Sequence, residues 1–344
     1  MNLKNIFKKD ITWGYISKFV QIASGLILLP IILFKLPSSQ VGIYYVFLSI
    51  NMLVYQLNMG FQPTLMRNIS YIYAGAKKLN KTGVDTKQEF NQELDYHLLK
   101  KIISTGKIVF LIVGLLGGLV VGVGGSFYIS GIIAPLGNNN YIFLAWEIYT
   151  LASVLEIIFY YYSPLLMGSG KVLISLRIIT FSKILFVLIT GILLIFDFGL
   201  LAVAIGRMIS IILNVILFHN AYFTKKLNLK LKGLVVTKGD IIYCFDILFH
   251  TSYKLGLVNF SEYLLNNIPI LVAPYMFSIG EVAKLGLIFQ LYSIISVLAL
   301  VSFQINYPII SKFWIKKKFN KLQEYYVKDS LILIVVFDCL LSVV

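Results

Sequence analysis

Five long stretches of this chain, Leu36–Met66, Ile108–Trp146, Ile184–Phe196, Tyr263–Gly280 and Leu285–Ser311, contain no Asp, Glu, Lys or Arg. Spanning the roughly 30 Å hydrocarbon core of a bilayer takes about 20 apolar residues of helix, so runs of this length constrain the fold more than any motif does. A soluble domain has no place for so much uninterrupted apolar sequence. Here 58% of the residues are hydrophobic and 13% charged, against roughly 45–50% and 25% in soluble domains. The expected fold class is all-α, a polytopic membrane helix bundle.

Ile108–Trp146 is too long for one span at about 1.5 Å per residue. Gly124-Gly125-Ser126 and Ala134-Pro135-Leu136-Gly137-Asn138-Asn139-Asn140 interrupt it, so it reads as two helices and a short polar turn. The expectation is eight full spans, at residues 12–34, 41–64, 104–125, 141–164, 172–196, 199–219, 251–276 and 284–311, and a ninth, starting near 330, that is cut short. Asn2–Asp10 is basic, but the apolar run behind it continues to span length without a small-residue cleavage site, so the first helix is expected to stay in the membrane. Cys244, in a basic loop, and Cys339, in the last apolar segment, read as unpaired thiols.

Lys and Arg fall very unequally on the two sides of these spans. One side takes Lys4, Lys8 and Lys9, the loop from Arg67 to Lys101, Lys171, and the segments Lys225–Lys254 and Lys312–Lys328, which together hold most of the 30 basic residues. The loops of the other side hold Lys35 and Lys284. Cytoplasmic loops carry such an excess, which predicts a multi-pass protein with a cytoplasmic N-terminus. The same placement assigns the net charge of +15 to short loops facing anionic headgroups and argues against nucleic acid as a partner. Trp13, Trp146 and Trp314 fall at predicted helix ends, where indole rings favour the headgroup level.

Sliding the chain on itself so that Ser17 meets Ser261 also aligns Pro30 with Pro274, Gly42 with Gly286 and Ser49-Ile50 with Ser293-Ile294. The first two spans then superpose on the seventh and eighth in the same orientation. The expected architecture is two parallel pseudo-symmetric six-helix lobes with the second incomplete, a plan used by transporters. Residues 1–225 form the N-terminal lobe of six transmembrane helices, and residues 226–344 an incomplete C-terminal lobe of about three.

The stretch Gly42-Ile43-Tyr44-Tyr45-Val46-Phe47-Leu48-Ser49-Ile50, followed by Gly60-Phe61-Gln62-Pro63-Thr64 and by Arg67-Asn68-Ile69-Ser70-Tyr71 with Gly75-Ala76, resembles the O-antigen (O-unit) flippase family. That family belongs to the multidrug/oligosaccharidyl-lipid/polysaccharide exporter superfamily. The resemblance is strongest over roughly residues 10–80. It implies two six-helix lobes around a central cavity, in the bacterial inner (plasma) membrane. The implied activity is translocation of an undecaprenyl-diphosphate-linked oligosaccharide, an O-antigen or capsule repeat unit, to the periplasmic leaflet by alternating access. The implied partners are the lipid-linked oligosaccharide, bilayer lipid, and a polysaccharide polymerase with its chain-length regulator. A drug/cation antiporter of the same superfamily and a non-transporting truncated membrane protein are the alternatives.

Ionisable side chains at a helix centre within a span cost about 2.5–3.5 kcal/mol each on insertion scales, which makes them functional candidates. Here they are Lys18, Glu156, Arg177, Lys183, Arg207 and Glu262. The spacing of Arg177, Thr180 and Lys183 places two cations on one stripe of a helix. Under the flippase reading Lys18, Arg177, Lys183 and Arg207 hold the substrate diphosphate in the cavity, and Glu156 or Glu262 couples transport to a proton or an ion. Asn51, Asn58 and Gln62 on the second span, and Asn259 and Asn266 beside Glu262 on the seventh, follow one-face spacings suited to a sugar path. A structural reading competes with this one. Lys18 and Arg177 lie close enough to their helix ends to snorkel, and a pair such as Arg207 with Glu156 ties helices together. Four cations against two central acids argue against a cation exporter.

Phe159-Tyr160-Tyr161-Tyr162 reads as an aromatic belt at a helix end in preference to a sugar-stacking platform, and Gly114, Gly118 and Gly122 as a small-residue stripe for close helix contact. Gly168-Ser169-Gly170-Lys171 imitates the tail of a phosphate loop, but Val172 stands where Ser or Thr is needed. His97, His219 and His250 lie apart, with no carboxylate or thiol cluster at ligand spacing and no nucleophile–base pattern. Neither an enzyme, a metal site nor a cofactor is expected.

Overall fold

The computed structural model describes residues 3–81, 94–136, 140–296 and 319–341, all helical apart from the connections. The chain divides into two units, Met1–Gly280 and Glu281–Val344. The first holds α1 (Leu3–Lys35), α2 (Ser38–Gln56), α3 (Phe61–Tyr73), α4 (Tyr96–Leu119), α5 (Ser126–Ile133), α6 (Asn140–Ile158), α7 (Tyr162–Gly168), α8 (Val172–Ile195), α9 (Leu200–Tyr222), α10 (Lys225–Leu231) and α11 (Lys238–Met276). The helix α12 (Ile279–Ser296) starts at the boundary, and α13 (Phe319–Leu341) lies in the second unit.

Among the described residues six stretches are long and apolar enough to cross a membrane: Tyr96–Ile133, Asn140–Gly168, α8, α9, α11 and α12. The pair α2 and α3, bent by 42°, makes a seventh if it is one broken span. The apolar part of α1, Ala23–Lys35, is shorter than a span. Residues 297–311 of the expected 284–311 span, and Trp314 beyond it, lie outside the described residues.

The expected 41–64 span is not one helix. Met59 and Gly60 take left-handed backbone, with φ of 46° and 72°, and the four residues from Leu57 to Gly60 form the turn between α2 and α3. The turn is seated on α11: a Cβ on Gly60 would stand 2.6 Å from Leu255 Cβ, and one on Gly256 would stand 2.8 Å from Met59 Cβ. Asn51, Asn58 and Gln62 therefore do not form the continuous stripe that a single helix would have given them.

The glycine-rich stretch after α4 does not stop the helix either. Val120–Gly125 winds as a π-helix and leads directly into α5, so each i→i+4 bond that the glycines loosen is replaced by an i→i+5 bond. Trp146, expected at the headgroup level, is fully buried instead. Its indole Nε1 donates to Ser126 Oγ at 2.9 Å and its ring packs on Phe47, with centroids 5.1 Å apart. Of the glycine stripe, Gly114 faces Ile158 and Gly118 faces Val154 across the α4–α6 contact, whereas Gly122 has open space.

At the lysine-rich end, the main core joins α3, α4, α7, the end of α9 and the first turns of α11 around Leu65, Ile69, Leu99, Leu165 and Leu248. Tyr161 and Tyr162 belong to this core, at 4% and 5% exposure, so the Phe159–Tyr162 run is a packed corner between α6 and α7 and not an aromatic belt. Cys244, expected in a loop, is a buried free thiol on α11. That helix begins a dozen or so residues before its expected start because Thr237 and Asp240 cap it reciprocally. Thr237 Oγ1 accepts from Asp240 N at 3.2 Å, and Asp240 Oδ2 accepts from Thr237 N at 3.0 Å.

Several lysines expected to face headgroups also bind the protein. Lys100 Nζ donates to the carbonyls of Leu231 and Leu234 at 2.8 and 2.7 Å, Lys101 pairs with Asp240 at 2.7 Å, and Lys171 donates to Ala221 O at 3.3 Å. Replacing an N-cap Thr by Ala typically costs about 1 kcal/mol. Thr237→Ala is expected to cost that much, concentrated as faster amide exchange in the first turns of α11. Unchanged protection there would mean that the Lys101–Asp240 pair alone holds the helix start.

Candidate functional site

The interior of the first unit holds one charged cluster that joins three helices. Arg207, on α9, projects from a largely apolar helix toward α2 and α6 and is largely buried, its side chain 15% exposed. An unpaired guanidinium there would be costly, and three side chains surround it. Nη2 lies 3.3 Å from Glu156 Oε2 of α6 and donates to Tyr55 Oη of α2 at 2.6 Å, while Nη1 donates to Tyr149 Oη. Tyr55 Oη also donates to the Glu156 carboxylate. The guanidinium carbon sits 4.3 Å from the Tyr149 ring centroid, over its electron-rich face.

The cluster is held by packing on each side. Tyr149 is 2% exposed and meets Phe47 of α2 at 5.9 Å between ring centroids, and Tyr55 meets Tyr160 edge-on at 6.4 Å. On the other flank of α9, Ser210 Oγ donates to Ser182 O at 2.7 Å and Asn214 Nδ2 donates to Ser182 Oγ at 3.1 Å, which fixes α9 against α8. Lys183, the residue after Ser182, lies within electrostatic reach of both Glu156 and Arg207, and its ammonium stands 5.8 Å from the Phe186 ring centroid. Lys183 itself is exposed on α8, so two cations and one carboxylate lie near one another with one positive charge in excess, Arg207 largely buried and Lys183 at the exposed side.

The other expected site residues lie elsewhere. Arg177 is exposed, with its guanidinium 4.8 Å over the Trp13 ring, so it ties α8 to α1. Lys18 is on α1, and its side chain lies outside the described residues. Asn259, Glu262 and Asn266 lie exposed on α11, apart from the groups that contact Arg207. Asn51 Nδ2 donates to Phe47 O one turn back at 2.9 Å, and its buried Oδ1 has no hydrogen-bond partner. Asn58 sits in the α2–α3 turn, and Gln62 hydrogen-bonds Tyr160 next to the cluster.

Tyr55 and Tyr149 were not anticipated. A tyrosine in the middle of an apolar helix must find a partner for its hydroxyl, and that requirement is the signal that marks both residues.

Protein-family models, curated proteins and solved structures give no match to this chain. Its function is argued from the cluster and its surroundings.

Proposed function

We propose that this chain is a polytopic membrane transporter of the O-antigen flippase type, moving an undecaprenyl-diphosphate-linked oligosaccharide across the bacterial inner membrane by alternating access. The observation that carries the reading is the part-buried Arg207–Glu156 pair with the exposed Lys183 within electrostatic reach, cationic in sum, among helices long and apolar enough to cross a bilayer. A diphosphate entering this region competes with Glu156 for the Arg207 fork, which is shaped for bidentate oxyanion contacts. Glu156 is then released from Arg207, which makes it the candidate for coupling transport to a proton or an ion. The two-lobe plan remains part of the proposal. It is supported by the alignment of Pro30 in the 33-residue α1 with Pro274 in the 39-residue α11.

Lys183 provides the cleanest test, because its ring contact with Phe186 is replaceable by ordinary packing. A charged hydrogen bond is worth about 1.5–3 kcal/mol, so Lys183→Ala in a transport-competent protein is expected to weaken diphosphate handling by about ten- to a hundredfold. Surface polysaccharide should fall accordingly while the amount of protein in the membrane stays normal. Normal polysaccharide with normal protein would remove Lys183 from the substrate path.

Topology is tested separately. In a chain whose Cys244 and Cys339 have been replaced, a cysteine at Asn140 should react with an impermeant thiol reagent from the periplasm, whereas cysteines at Lys81 and Lys230 should stay protected. The opposite pattern inverts the protein and sinks the cytoplasmic N-terminus.

A second reading has its own support. Arg207 is already paired in charge with Glu156 and hydrogen-bonded to both tyrosines, an arrangement that ties α2, α6 and α9 together without any ligand.

A further inference from the structure

At the lysine-rich end of the first unit, a cavity of about 400 Å³ opens between α3, α4 and α11. Phe61, Phe245 and Phe249 form one wall, with Phe61–Phe245 and Phe245–Phe249 centroids 6.2 and 5.5 Å apart and ring planes inclined by 28° and 21°. Ile108, Ile112 and Val113 form the other. The lining's one polar side chain, Thr105, donates its hydroxyl to Lys101 O at 2.9 Å, one turn back along α4. Water held in a cavity needs two to four polar partners, and this cavity supplies none, so its natural content is hydrocarbon.

The groove has a direction. From Thr105 to Val113, α4 rises by about 12 Å, and every lining position on that stretch is aliphatic. Helical spacing places Lys101 on the groove face of α4 one turn before Thr105, and Lys238 on the groove face of α11 just before Ile241 and Ile242. Lys101 is paired with Asp240, whereas Lys238 is exposed, so the mouth carries one positive charge in excess while the interior is apolar. An aromatic-walled hydrocarbon slot with a cationic lip complements an amphiphile that has an anionic head and a long aliphatic tail.

We propose that this cavity is a binding site for an anionic membrane phospholipid, with one acyl chain between the phenylalanine wall and the α4 aliphatic wall and the phosphate at Lys101 and Lys238. The site is separate from the Arg207 cluster and does not rest on the transport reading.

The test is native mass spectrometry of the full chain in mild detergent, titrated with phosphatidylglycerol and phosphatidylcholine of matched chain length. Wild-type protein is expected to retain phosphatidylglycerol about tenfold more strongly than phosphatidylcholine. Val109→Trp, which fills the slot, should abolish retention of both, and Ile112→Trp at the exposed rim provides a second blocked variant if the first does not fold. Lys238→Glu should leave chain binding in place and erase the preference for phosphatidylglycerol. The proposal is overturned if a folded blocked variant binds as the wild type does, if the wild type holds both lipids equally, or if a polyprenyl diphosphate copurifies in the slot instead.

Discussion

Arg207→Ala is expected to remove transport and stability together, and adding Glu156→Gln to an Arg207→Met variant is expected to restore only the stability. Removing one partner of a fully buried ion pair leaves the other charge uncompensated at a cost of about 3–5 kcal/mol, and the partial exposure of the Glu156 side chain lowers the expected cost here to about 1–3 kcal/mol. In Arg207→Ala that charge is Glu156, which keeps only the Tyr55 hydroxyl as a donor. The Met/Gln double variant carries no buried charge, fills similar volume, and leaves Tyr55 a side-chain amide to bond. Neutral or apolar replacements of buried pairs are often no less stable than the pair itself. Thermal unfolding in detergent and surface polysaccharide in cells read the two properties independently. If both return in the double variant, the cluster is a helix tie and the proposed transport role loses its central residue.

The second large effect is expected at the α2–α3 turn. Gly60→Val places a β-branched side chain at φ 72°, which costs about 1–3 kcal/mol in backbone strain, and drives its Cβ against Leu255 of α11, which costs about 1–3 kcal/mol in overpacking. Gly256→Val, from the facing side of the same contact, incurs only the overpacking because its backbone is ordinary α-helix. Denaturation in detergent should therefore rank Gly60→Val well below Gly256→Val, and both below the wild type. Equal losses would show that the left-handed turn contributes nothing beyond its packing.

The apolar runs placed α8 and α9 within a few residues of their expected limits, because a span-length run almost free of charge has few alternatives. Boundaries that depend on local chemistry were harder to read. Gly124 and Gly125 looked like a break because glycine is a poor helix former, and no periodicity in an almost uniformly apolar segment marks the wider π turn that absorbs them. The lysines around Cys244 suggested a loop, although the Thr237–Asp240 cap was present in the sequence as a helix start. Of the candidate site, the Glu156–Arg207 pairing was legible because a buried charge requires a counter-charge. The separation of Arg177 from Lys183 was not, because six residues along α8 carry the first cation to Trp13 and leave the second near Glu156. Tyrosines were the main omission, since they count as apolar in any scan for spans and act as donors once folded.

The π segment also has a genetic consequence. Val120–Gly125 accommodates one residue more than an α-helical path between the same ends would need, so the wider turn absorbs an extra residue while α5 continues the course of α4. Deleting one residue there would return the segment to ordinary α-winding between the same ends and leave everything beyond it in phase. The same deletion within α4 or α5, where there is no spare residue, would turn everything beyond it by about 100° around the axis and swing Ser126 away from the Trp146 indole it now accepts from. Single-codon deletions should therefore be tolerated in this short stretch and damaging in the ordinary helix on either side.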